Sequence, residues 1–142
     1  MKKIAFAWHF ALPADHRIAC PDGCGLGEKR ADFDIFLWQL VEACRAEVRA
    51  PFVVVSGARC PFHNHSLHTS IRSLHISGCA LDVATPGAYD VLEFYHILDK
   101  VVLNVTLNQG GLGVYDWGVH IDTGMGRKAG RRWDLRSNGP GS

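Results

Sequence analysis

Two short stretches, CALDVA at 79–84 and YDWGVHID at 115–122, alternate apolar residues with small or polar ones. Successive side chains of a strand point to opposite faces. In the first, Leu81 and Val83 share one face while Ala80, Asp82 and Ala84 share the other. In the second, Trp117, Val119 and Ile121 face one way, and Asp116, Gly118, His120 and Asp122 the other. Strands of this kind send one face to a core and keep the other polar, which predicts a sheet covered on one side. Two helical patterns can supply the cover. Over 32–49, Phe33, Phe36, Leu37, Leu40, Val41, Cys44 and Val48 recur at three- and four-residue spacing, with Asp32 as the expected cap and Pro51 as the stop. Over 87–99, Val91, Leu92, Phe94, Tyr95 and Leu98 form a second apolar side. PFVVVSG reads as a short buried strand, 58–72 as a long polar loop, VVLNVTL at 101–107 as another strand, NQGG as a turn, and LGVY and WGVHIDTG as a final strand pair. The sum is an α+β domain: a small, largely antiparallel sheet with helices packed on one side.

A chain of 142 residues can bury a real core and fits one domain. Residues 1–133 are expected to form it, leaving 134–142 as a flexible, Gly- and Arg-containing tail. With 47% hydrophobic and 20% charged residues the balance is that of an ordinary globular protein. A formal charge of +1 gives no general pull toward nucleic acid or membrane, although GRKAGRRWDLR is locally basic. That stretch lacks the aromatic stacking pattern of a nucleic-acid binder, so nucleic acid is not an expected partner. The opening MKKIAFAWHFALPADHRIAC mimics a signal peptide, but Trp8-His9 and then Pro13, Asp15, His16 and Arg17 break its apolar run, and it reads as part of the mature domain. No stretch reaches the ~20 apolar residues that span a bilayer. A monomer, made in the cytoplasm, is the expectation.

Eight histidines is a high count, and four of them fall in HNHSLHTSIRSLH. Histidine is the commonest metal ligand. Two histidines and a carboxylate, with a fourth position open to water, make a catalytic zinc site. His75, Asp82 and His120 can supply that set from three places in the fold. His63, His65 and His68 are rivals by type, though they sit in a loop without strand geometry. A histidine or aspartate on a strand can equally be a hydrogen-bonded structural residue. Of the five cysteines, Cys44 falls on the apolar helix face; Cys20 and Cys24 of CPDGC could join Cys60 in a second, structural metal site or a clip.

Three blocks, SGARCPFHN, SLHISGCALDV and GGLGVYDWGVHIDTG followed by RRW, resemble the M15-type zinc peptidases, the group of peptidoglycan peptidases and phage endolysins that shares a fold with the hedgehog signalling domain. The pattern S-x-H-x-x-G-x-A-x-D is met in full by Ser73, His75, Gly78, Ala80 and Asp82. The resemblance spans about residues 8 to 133. It implies that His75, Asp82 and His120 bind one zinc ion, and that Arg59 holds a substrate carboxylate or the developing oxyanion, as a persistent planar cation can. It implies that Ser73 orients the loop or a ligand and that Gly110, Gly111 and Gly113 are turn residues without a chemical role. Many members carry an acid three positions before the last histidine ligand, where this chain has Trp117. That leaves Asp116 or Asp122 as the proton acceptor, or Asp122 as a partner of a ligand. The implied activity is hydrolysis of D-amino-acid-containing stem or cross-link peptides of bacterial cell wall, by carboxypeptidase or endopeptidase cleavage. A phage-encoded lysin released at lysis is the implied setting. The competing expectation is a zinc-binding module of the same fold that binds a partner without cutting it.

Overall fold

The protein is described from a computed structural model, which covers residues 32–59 and 73–137. The expected irregular leading segment, the cysteines Cys20, Cys24 and Cys60, and the histidines His63, His65 and His68 lie outside the described residues.

Helix α1 runs Ile35–Val48. Its cap is Asp34 rather than Asp32: the Asp34 carboxylate accepts the Phe36 N–H at 2.9 Å, satisfying one of the amides that a helix start leaves without a partner. Leu37, Leu40, Val41, Cys44 and Val48 are buried as the spacing requires, together with Trp38. Phe36, expected on that face, is 62% exposed. Burial raises the Cys44 thiol well above its ordinary range, consistent with an inert core residue.

Helix α2 runs Val91–Val105, six residues past its expected end at 99. VVLNVTL is therefore mostly helix, not strand. A capping box starts it: Asp90 accepts from the Leu92 N–H and Glu93 accepts from the Asp90 N–H. Phe94, Leu98, Val101 and Val102 then continue one buried stripe, while Leu103, Asn104 and Val105 face out. Burial on a 3.6-residue period overrides the strand preference of the valines.

The strands are β1 (Val54–Ser56), β2 (Ala80–Ala84), β3 (Gly111–Val114), β4 (Gly118–Asp122) and β5 (Arg132–Asp134). They lie in the order β1-β2-β4-β3-β5. All neighbours pair antiparallel except β3 with β5, which run parallel. β5 was not expected as a strand, and Asp134, assigned to the tail by sequence, is its last residue. Both helices cover one face of the sheet. Leu81, Val83, Leu112, Val119 and Ile121 from that face join Leu37, Trp38, Phe94 and Leu98 in a single core, with Phe52 set edge-on against Phe94 at 5.7 Å. No described helix is long and apolar enough to cross a membrane.

Candidate metal centre

The uncovered face of the sheet carries the polar residues, and the register brings them into one line. Asp82 on β2 lies opposite His120 on β4. His120 lies opposite Gly113 on β3, and Gly113 opposite Trp133 on β5. Ser56 on β1 completes the row beside Asp82. His75 comes from the turn just before β2. Gly78 closes that turn at φ 69°, and its carbonyl accepts the Asp34 N–H at 3.0 Å, tying the turn to the start of α1. A side chain at Gly78 would overlap the Asp32 carbonyl. Ser73 helps to set the same turn: its hydroxyl accepts the His75 N–H at 3.2 Å.

His75, Asp82 and His120 each offer one ligand atom, and these atoms lie within 4.8 Å of one another. His75 Nε2 is 3.2 Å and His120 Nδ1 is 2.9 Å from the same oxygen, Asp82 Oδ1. The partners of the other ring nitrogens set the tautomers. His75 Nδ1 is 2.7 Å from the Gly57 carbonyl, which can only accept, so Nδ1 carries the proton and Nε2 keeps its lone pair for the cluster. His120 Nε2 is 2.7 Å from Asp122 Oδ2, which likewise makes it the donor and leaves Nδ1 for the cluster. Two imidazole nitrogens and a carboxylate oxygen, each oriented by a neighbour, fit a divalent metal ion.

The electrostatics follow from the same contacts. Burial pushes the Asp82 carboxyl up, but the charge and hydrogen bonds of His75 and His120 together hold it far below the ordinary carboxylate range. Burial also opposes charge on His120, yet its bonds to Asp122 and Asp82 win and raise it to about 9. Arg59 is the buried cation of the site, with Nη2 donating to Asp82 Oδ2 at 3.2 Å and Nε to Ser56 at 3.1 Å.

The two aspartates expected near His120 part company. Asp122 is fully buried. Its Oδ1 accepts the Gly111 N–H at 2.9 Å, the Gly124 N–H at 2.8 Å and the Arg131 guanidinium, while Oδ2 takes His120. Burial opposes its charge, but His120 and Arg131 lower its pKa. A carboxylate so placed orients His120, the partner role expected of it as the other alternative. Asp116 is not in the site at all. Tyr115 and Gly118 close a hairpin through the Tyr115 N–H and the Gly118 carbonyl at 2.8 Å, leaving Asp116 in the two-residue turn before β4 begins. Strand alternation therefore does not extend to it. Its exposed carboxylate accepts from the Ser137 N–H and hydroxyl instead.

A cleft of about 490 Å³ opens over the cluster, with Arg59, Arg127 and Arg131 among its walls and Ser73 at its edge. Trp133 lies in it, 5.1 Å from the His120 ring. Gly113 makes room for that indole, and Gly111 for Arg131 and Asp122; a Cβ at either would overlap these groups. Gly111 and Gly113 are thus strand residues that clear the site floor, not turn residues. The sequence reading missed Tyr115, Arg127, Arg131 and Trp133. The parity of GGLGVY, which puts Gly111, Gly113 and Tyr115 on one face, is a signal that could have found the tyrosine.

An α+β sheet with helices on one face and a His-Asp-His cluster on the other defines a candidate metal-dependent hydrolase. The chain belongs to the Peptidase M15 family, whose model matches residues 19–122, all three cluster residues included. Comparison with curated proteins and with solved structures gave no match. The family match stops at Asp122, so Arg127, Arg131 and Trp133 are contributed by chain beyond it.

Proposed function

We propose that the protein is a zinc metallopeptidase that hydrolyses peptide bonds in the D-amino-acid-containing stem or cross-link peptides of bacterial peptidoglycan. The observation that carries this reading is the cluster of His75, Asp82 and His120, with Gly57 and Asp122 turning one ring nitrogen of each imidazole toward the same point. The nitrogen and oxygen donor set and the open fourth side suit zinc. When bound, zinc supplies Lewis acidity to a peptide carbonyl and makes water acidic near neutral pH.

The chain's own residues do the rest. Arg59, fixed by Ser56 and Asp82 at the cluster's edge, offers a lasting positive charge to a substrate carboxylate or to the oxyanion. Arg127 and Arg131 extend that positive wall, which favours peptides bearing free carboxylates. Asp122 holds the His120 ring and its tautomer. Such a substrate requires delivery to the cell wall, as for a phage-encoded lysin released at lysis.

One observation favours a second reading, a zinc-binding module that binds wall or partner without cutting. Among the described residues, both carboxylates that line the cleft, Asp82 and Asp122, are already committed to donors. Digestion of purified peptidoglycan, followed by product masses, separates the two. Wild type is expected to release peptides in a chelator-sensitive way, and His120→Ala to release none. The masses assign the bond as carboxypeptidase, L-Ala–D-Glu or cross-link cleavage. Absence of chelator-sensitive products from zinc-loaded wild type would sink the enzyme reading and leave the binding module.

A further inference from the structure

Among the polar groups of the cleft that the mechanism above does not use is the hydroxyl of Tyr115. Its carboxylate neighbours are taken: Asp82 and Asp122 receive several donors each. The Tyr115 oxygen accepts the Trp133 Nε1–H at 2.8 Å. An indole N–H can only donate, so that bond leaves the phenolic hydrogen to point elsewhere. Among the described residues no acceptor receives it. The ring itself is clamped. Trp117 stacks on it at 5.0 Å and 13°, and Trp133, which anchors the hydroxyl, sits over Gly113 beside His120. Burial keeps the phenol above its ordinary range against the bond from Trp133, so it stays a donor at neutral pH. The cleft therefore contains a fixed, uncharged O–H donor beside the metal cluster, stacked on Trp117 and anchored by Trp133.

Building on the metallopeptidase reading, we propose that Tyr115 is a catalytic residue whose hydroxyl donates a hydrogen bond to the oxygen of the substrate carbonyl as that oxygen gains negative charge, with Trp133 as its positioning residue. A preorganised donor aimed at a developing oxyanion acts on the transition state more than on the bound peptide. A tyrosine present only for packing would be replaced by phenylalanine at no cost in chemistry, because the stacking on Trp117 would survive.

The test uses zinc-loaded full-length wild type, Tyr115→Phe and Trp133→Phe. Each is titrated calorimetrically with phosphinate analogues of D-Ala–D-Ala and L-Ala–D-Glu, whose tetrahedral anions imitate the reacting carbonyl, and each is assayed on wall peptides. Zinc content and melting temperature are measured on the same samples. Tyr115→Phe is expected to keep its zinc and to bind the phosphinate that wild type prefers roughly 10- to 100-fold more weakly, the range for a lost hydrogen bond to a charged group. Its kcat is expected to fall about 100-fold with KM nearly unchanged. Trp133→Phe, which keeps a ring beside His120 but frees the phenol, is expected to show a smaller loss of the same kind, and it carries the test if Tyr115→Phe fails to take up zinc. Equal phosphinate binding by wild type and Tyr115→Phe, a loss confined to KM, or no phosphinate binding by wild type would each overturn the proposal. Wild type that binds phosphinate through Tyr115 but cleaves no wall peptide would overturn the substrate reading and leave this inference standing.

Discussion

The two faces of one sheet obey different rules. On the helix side, Leu81, Val83, Val119 and Ile121 are held by shape and by exclusion of water, with no partner specified for any one of them. On the open side, one residue away along the same strands, the polar side chains are fixed by named atoms. Asp82 binds His75, His120 and Arg59; Asp122 binds His120, Arg131 and two backbone amides. Damage to the first face should lower stability and spare the site. Damage to the second should empty the site while the fold remains.

The sharpest contrast comes from Asp82→Ala. It removes the shared carboxylate and leaves Arg59 buried with one less partner. Zinc binding should be lost, activity should fall by more than about 1000-fold, and stability should drop by about 3 kcal/mol, within the range for breaking a buried ion pair. Phe94→Ala, in the core, should cost about 3–5 kcal/mol in denaturant unfolding and yet leave zinc per folded molecule unchanged. Comparable zinc loss in both variants would collapse the distinction between the faces.

Asp122→Asn gives the intermediate effect. It should weaken zinc binding about 10- to 100-fold, as loss of an orienting carboxylate does elsewhere. The pH dependence sharpens this. His120 titrates near 9 in the metal-free fold, above its ordinary 6.5. Protonation of Nδ1 competes with the metal, so the apparent zinc affinity of wild type should rise by about tenfold per pH unit up to about 9 and then level off. In Asp122→Asn the plateau should begin at lower pH. The same sign applies to stability without metal. The His120 contribution is fully present below pH 6.5 and is lost as pH rises through about 9, whereas the contributions of Asp82 and Asp122, whose pKa values are lowered, are lost on acidification. Thermal melts of chelated protein from pH 5 to 10 check both limbs.

The smallest effect is expected at Asp116→Ala. With its carboxylate turned to Ser137 on the surface, activity should stay within about twofold and stability within about 0.5 kcal/mol. A large drop in kcat would return Asp116 to the site.

How far the sequence could be read follows from the same contrast. Alternation in CALDVA and GVHID announced both faces, because strand parity is local and regular, and the α+β architecture followed from it. His75, Asp82 and His120 were legible as a ligand set by residue type and by their place on or beside those strands. Parity failed at Asp116 because the strand stops at Gly118, and a tight turn does not show where alternation ends. VVLNVTL misled because valine favours strands in isolation, while the buried stripe begun at Phe94 decides its fate only in the folded context. Trp133 and Arg131 were out of reach: a three-residue strand carries too little pattern to announce itself, and its parallel pairing with β3 joins residues distant in the chain. Gly113 became readable only once the indole it accommodates was in view.

The central claim is that His75, Asp82 and His120 together hold one metal ion. Zinc titration of metal-stripped wild type and of the triple variant His75→Ala, Asp82→Ala, His120→Ala, with stoichiometry from calorimetry and elemental analysis, tests it most directly. The expected result is one tight site present in wild type and missing from the triple variant, whatever the cysteines bind. Equal zinc stoichiometry and affinity in the two proteins would contradict it.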